Sequence, residues 1–133
     1  MFAVIRRLAL SLFLLAPVSV QADPIQNVIS DQISAFLEDD FETAFSYASP
    51  NIKRLFGSPE RFGQMVRNGY PMVHRPADVQ MLEQQEIGPH VIQRVMVRDA
   101  RGRVHFLAYA MVESSEGWLI NGVQILRAPE VGA

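Results

Sequence analysis

The sequence predicts an α+β domain in which N-terminal helices pack on a four-stranded antiparallel meander sheet. Three observations predict it. From Asp23 to Gly69 the apolar residues recur at helical spacing, punctuated by pairs of a capping residue and a proline. From Ala77 to Arg127 they fall in stretches of strand length. The connections between those stretches are short and contain glycine, which demands antiparallel neighbours.

Residues ahead of the domain read as an address rather than as fold. Arg6 and Arg7 form a basic region, Leu8 to Leu15 is apolar apart from Ser11, and Pro17 breaks the run. Val20-Gln21-Ala22 fits the small-x-small cleavage pattern. A secretory signal peptide over residues 1–22 is expected, with the cut before Asp23. The run is shorter than the roughly 20 apolar residues that a membrane span needs. No cysteine follows it to carry a lipid, and no later run approaches membrane length. The expected mature chain is exported, periplasmic or secreted, with no stable membrane anchor after cleavage.

That chain has 111 residues, enough for one core and one domain over 23–133. It has no cysteine, so disulfides and thiolate chemistry are excluded and packing alone must hold it. Without Arg6 and Arg7, ten basic residues face 14 acidic ones, a net charge of about −4. Nucleic acid is not an expected partner, because phosphate binding needs a basic surface.

The first helix starts at Asp23-Pro24, with Asp as N-cap and Pro at the first helical position. Ile25, Val28, Ile29, Ile33, Phe36 and Leu37 make its apolar stripe. Asp40 caps a short second helix carrying Phe41, Ala44, Phe45 and Ala48. Ser49-Pro50 opens a turn holding Ile52, Leu55 and Phe56, which Gly57 ends in the left-handed conformation. Ser58-Pro59 opens another helix that buries Phe62, Met65 and Val66 and points Arg61, Gln64 and Arg67 to solvent. Asn68-Gly69 stops it, Pro71 prevents its continuation, and Tyr70 to Pro76 is expected as a connection into the sheet.

Three hairpins follow. Ile87-Gly88-Pro89-His90, Asp99-Ala100-Arg101-Gly102 and Ser114-Ser115-Glu116-Gly117 separate strands expected at 78–86, 91–98, 103–113 and 118–127. The third strand is apolar on both faces. Val104, Phe106, Ala108, Ala110 and Val112 lie on one, and Leu107, Tyr109 and Met111 are central on the other. A partner subunit or part of the helical layer is expected to cover the second. In the last strand Trp118 and Ile120 share a face, and a bulge at Asn121-Gly122 would bring Val123 and Ile125 back to it.

Several of these residues together resemble a known family: Asp39-Asp40-Phe41, Ala44-Phe45, Ala48-Ser49-Pro50, Phe56-Gly57, Pro59, Phe62, Met65-Val66, Gly69-Tyr70-Pro71, Gly117-Trp118 and Ile120-Asn121-Gly122-Val123. The chain resembles, over nearly its whole mature length, the uncharacterised exported bacterial family termed domain of unknown function 4864. Its order of helices and curved sheet is similar to the nuclear-transport-factor-like, or cystatin-like, superfamily. That resemblance implies a cone with a pocket between helix and sheet. Because members serve as enzymes, ligand binders and dimerisation modules, it implies no particular activity.

Tyr70, His74 and Arg75 form the sharpest cluster, on a connection between layers. His74 could act as a general base and Tyr70 as a hydrogen-bond donor into a pocket. The plainer alternative packs Tyr70 under the loop and leaves His74 on the surface. Tyr109 and Asn121 lie centrally in the sheet and would form a polar floor if their faces line a cone. These five residues are the ligand-binding candidates. No catalytic residue can be assigned: there is no G-x-S-x-G elbow, and Asp39-Asp40 do not face each other as helix neighbours. His74, His90 and His105 lack a paired ligand spacing, so neither metal nor cofactor is expected.

The expected function is a non-catalytic exported binding or accessory module that takes a small-molecule ligand or an envelope protein, with a homodimer through the sheet as a further candidate. One alternative is a small cofactor-free enzyme doing proton transfer with Tyr70 and His74. Another is an envelope interaction protein docking through the arginines Arg94, Arg98, Arg101 and Arg103 of one hairpin.

Overall fold

Local capping sets the helical layer. In the computed structural model, which describes residues 23–127, α1 spans Pro24–Leu37. Asp23 Oδ1 accepts from the backbone N–H of Ile25 at 2.9 Å and of Gln26 at 3.3 Å, satisfying donors that the first turn leaves free. Asp40 caps α2 (Phe41–Ser46) through Thr43 N–H, Ser49 caps α3 (Pro50–Phe56) through Ile52 N–H, and Ser58 caps α4 (Pro59–Gly69) through Arg61 N–H. The expected turn after Ser49 is thus a helix, and Gly57 ends it at φ +81°. The expected signal peptide and the last six residues lie outside the described region.

Two expectations of the helical region are corrected. Leu37 does not join the buried stripe; it is about half exposed, and Ala35 is buried instead. The α4 helix does stop at Gly69, but Tyr70 to Pro76 is not all connection. Tyr70 leaves the helix at φ −135°, and Pro71 starts a single turn, α5 (Pro71–His74). The fixed φ of proline suits the first position of a helix as well as it forbids an interior one. Met72 and Val73 of that turn are buried.

The sheet is a meander of β1 (Pro76–Ile87), β2 (His90–Asp99), β3 (Val104–Ser114) and β4 (Gly117–Leu126), antiparallel throughout. Every fully buried strand residue lies on one face: Gln93, Val95 and Val97 of β2, Leu107, Tyr109 and Met111 of β3, and Ile120 of β4. The helices supply Ile25, Ile29, Ile33, Phe36, Phe62 and Val66 to the same core. The helical layer therefore covers the Leu107–Tyr109–Met111 face. On the opposite face Ile92, Met96, Phe106, Ala108, Ala110, Val112 and Leu119 stay half-buried.

Irregularities in β4 and in β1 shape the sheet. In β4, Ala110 pairs with Gly122 and Met111 with Ile120, so Asn121 is an extra residue, the expected bulge. Trp118, Ile120 and Val123 consequently all pack toward the core. In β1 the pairing shifts between Met81 and Gln84. Outside the strands, Ala48 makes a parallel bridge to Ile120. Ser49 N–H donates to the Ile120 carbonyl at 2.8 Å, and Ile120 N–H donates to the Tyr47 carbonyl at 2.9 Å.

Candidate functional site

The gap between the helical layer and the β3–β4 half of the sheet is a cavity of about 230 Å³. Phe36 of α1, Ile52 and Phe56 of α3, and Val66 of α4 wall it on the helical side, and Tyr109, Ile120 and Val123 floor it on the sheet. Leu55 also lines it while remaining 72% exposed, which marks the α3 side as the mouth. Among the described residues, no charged side chain lines it.

Three polar side chains do. Tyr70 is placed by the break between α4 and α5, and its hydroxyl donates to the Val123 carbonyl at 2.8 Å. Gln32 of α1 is 3% exposed, and its Nε2 donates to the Ala44 carbonyl at 3.1 Å. Tyr109 sits at the centre of β3, is fully buried, and its hydroxyl has no hydrogen-bond partner. Burial pushes its phenol well above the usual tyrosine range, and neighbouring Tyr70 adds to the push. Tyr109 is therefore a neutral O–H that can donate and accept, not a phenolate base.

His74 and Arg75 are not part of this arrangement. The expectation that they act with Tyr70 in one group is corrected by an acidic residue 35 positions before His74. Asp39 follows α1 at φ +56°, in the left-handed region that aspartate tolerates better than most residues. Its carboxylate lies 2.8 Å from His74 Nε2 and accepts two 3.0 Å hydrogen bonds from Arg75 Nη2. Arg75 Nη1 also donates to the Phe36 carbonyl at 2.7 Å, near the C-terminus of α1. The His74 ring stacks on Phe41, and the Arg67 guanidinium sits 4.7 Å from the centre of the same ring. Arg67, expected as a solvated charge, is thus tied to this cluster and lies 3.7 Å from Asp39.

Asn121 is the bulge residue and does not line the cavity. Its Oδ1 accepts from Ser49 Oγ at 2.7 Å, which locks the start of α3 to β4. Two of the five sequence candidates, Tyr70 and Tyr109, are brought together; His74, Arg75 and Asn121 are structural ties elsewhere. Gln32 was missed, although a signal existed: it is a polar residue within the apolar stripe, between Ile29 and Ile33.

The arginine hairpin is partly neutralised from within. Arg94 pairs with Glu83 at 2.9 Å, and Arg103 Nε donates to Asp99 at 3.2 Å. Asp99 also lies 2.9 Å from His105 Nε2 and accepts from the backbone N–H of Arg101 and Arg103. The His105 hydrogen bond, aided by those N–H groups and the Arg103 charge, holds its carboxyl well below the usual range. No group of three or more His, Cys, Asp or Glu with metal-holding geometry occurs among the described residues.

Comparison with known proteins places the chain. The family model described as Domain of unknown function (DUF4864) matches residues 19–133, so the chain belongs to that family. No curated protein matches it. Among solved structures, the crystal structure of a Campylobacter jejuni protein described as an NTF2-like transpeptidase is similar, with a TM-score of 0.55 and 15% identity. The alignment covers 75% of this chain and 99% of that one. The likeness is one of fold: helices followed by an open antiparallel sheet, the NTF2-like α+β cone.

Proposed function

We propose that the domain is a non-catalytic exported module that holds a small molecule in the cavity between helices and sheet. One observation carries the reading: Tyr109 floors an apolar cavity, and its buried hydroxyl has no hydrogen-bond partner. A buried hydroxyl left unsatisfied costs about 1–3 kcal/mol, and a bound molecule that completes its hydrogen bond removes that cost. The non-catalytic part rests on the lining, which offers neither a carboxylate nor an imidazole as a general base. The exported part rests on the pattern of residues 1–22.

Native mass spectrometry of protein recovered from the cell envelope tests these parts together. The expected spectrum shows a chain beginning at Asp23 and an added small mass that is lost on denaturation. A bare chain that no small molecule stabilises against heat would overturn the binding reading. A chain that still begins at Met1 would overturn export.

The outer face of the sheet favours a second, compatible reading, in which another copy of the chain covers it. Phe106, Ala108, Ala110 and Val112 of β3 form an uncharged row at its middle, and the alanines keep it flat. A two-fold axis would set that row against itself, with the Arg94–Glu83 pair on the neighbouring strands beside Ala108. Sedimentation equilibrium should then give a dimer, and Phe106→Glu should give a monomer that still folds. A monomeric parent protein at high concentration would rule this out.

A further inference from the structure

We infer that the molecule held in the cavity is neutral and carries one hydroxyl group on an otherwise apolar body; this rests on the binding reading above and narrows it to a ligand class. Three features of the lining select that class.

The first is the absence of charge. Among the described residues no Asp, Glu, Lys, Arg or His lines the cavity, so a carboxylate or ammonium entering it would lose its hydration with no counter-charge in return. The ligand is neutral.

The second is the balance of donors and acceptors. The Tyr70 O–H is spent on the Val123 carbonyl, but its oxygen keeps acceptor capacity. The Gln32 amide is oriented by the Ala44 carbonyl, which only Nε2 can satisfy, so Gln32 Oε1 is left as an acceptor without a bond. Tyr109 can both donate and accept. Two donors, the Tyr109 O–H and the second Gln32 N–H, are therefore free against three acceptors. A ketone, ether or ester brings only acceptors, so it can take up the free donors but leaves the surplus acceptors of the lining unpaired. A hydroxyl accepts from Tyr109 and has its own proton to give to the surplus acceptors.

The third is size and access. A cavity of about 230 Å³ is half as large again as the roughly 150 Å³ space that accepts benzene in an engineered protein core. Leu55 and Ile52 at the mouth and Phe56 and Met65 along the wall are apolar, so the route in carries no barrier to an apolar body. A single substituted ring or a branched chain of similar bulk fits.

The test uses four probes that share a skeleton: para-ethylphenol, its methyl ether para-ethylanisole, ethylbenzene and para-ethylbenzoate. Dissociation constants are measured on the mature protein by ligand-observed nuclear magnetic resonance. Para-ethylphenol should bind tightest, the ether and the hydrocarbon roughly tenfold weaker, and the benzoate weakest. Tyr109→Phe, which removes only an unpartnered atom and so leaves the fold intact, should bring the phenol down to the level of ethylbenzene. Equal binding of the four probes, or a preference for the benzoate, would overturn the ligand class while leaving a binding cavity in place. Retention of the phenol preference in Tyr109→Phe would overturn the role of Tyr109. Failure of every probe to bind would overturn both the class and the binding reading beneath it.

Discussion

A Cβ added to Gly63 would sit 2.8 Å from Cγ and Cδ1 of the Phe41 ring, closer than real Cβ contacts come. The ring has little freedom to yield, because His74 stacks on it and Arg67 lies over it. Gly63→Ala should therefore destabilise the domain by about 1–3 kcal/mol in urea unfolding, despite the better helix propensity of alanine. Asp99 offers a second prediction. Its carboxyl titrates lower in the folded chain than in the unfolded one. A carboxylate of that kind contributes stability above its unfolded value of about 3.9, and the contribution is lost as pH falls through the folded value. Asp99→Asn should thus cost most near neutral pH, and the gap in melting temperature from the parent should close steadily below about pH 4. A gap that widens in acid would show that the hydrogen bonds to Asp99 do not favour its charged form. Asp39, lowered chiefly by His74 and then Arg75, follows the same sign.

Elements whose causes are local were legible before the structure. Asp23-Pro24 and Ser58-Pro59 each placed a helix start, because a cap and its proline act within one turn; the same signal at Ser49-Pro50 marked a boundary but was read as a turn where the chain forms a helix. Strand order followed from connections too short to allow anything but neighbours. The Asn121 bulge was legible because the apolar parity on its two sides disagrees. Illegible elements have distant causes. Pro71 can stop one helix or start another, and the burial of Met72 and Val73 decides between them. Both faces of β3 alternate identically well, so pattern alone could not say which one the helices cover. His74 was drawn away from Tyr70 by Asp39, whose left-handed backbone leaves no sequence periodicity to read. Gln93 belongs here too. The shift in β1 leaves its pairing irregular, and Gln93 Nε2 donates to the Leu82 carbonyl at 2.9 Å while its Oε1 accepts from Gln84 at 2.8 Å and Gln26 at 3.3 Å. Gln93→Leu should cost about 1–3 kcal/mol by leaving those groups unpaired. A neutral result would mean that water replaces Gln93 without loss.

At the scale of the molecule, the cavity lies between the β3–β4 half of the sheet and residues of α1, α3 and α4. The tie that sets this gap is the parallel bridge of Ala48 to Ile120, with Ser49 joined to Asn121 across 72 positions of the chain. Among the described residues, the strand pairings themselves join sequence neighbours and can zip up hairpin by hairpin. The bridge must instead close a long loop, whose entropy cost is met only once most of the chain is in place. The consequence is an order of events: the sheet comes first and the cavity last, when β4 docks against the segment Tyr47–Ser49. What forms last by closing a long loop also opens at the least cost. In hydrogen exchange, the amides of Ser49 and Ile120 should lose protection before those of Val95 and Leu107 at the sheet centre, and a bound molecule should slow the first pair more than the second. The cavity would then be a seam that the chain opens and reseals without unfolding the sheet beneath it.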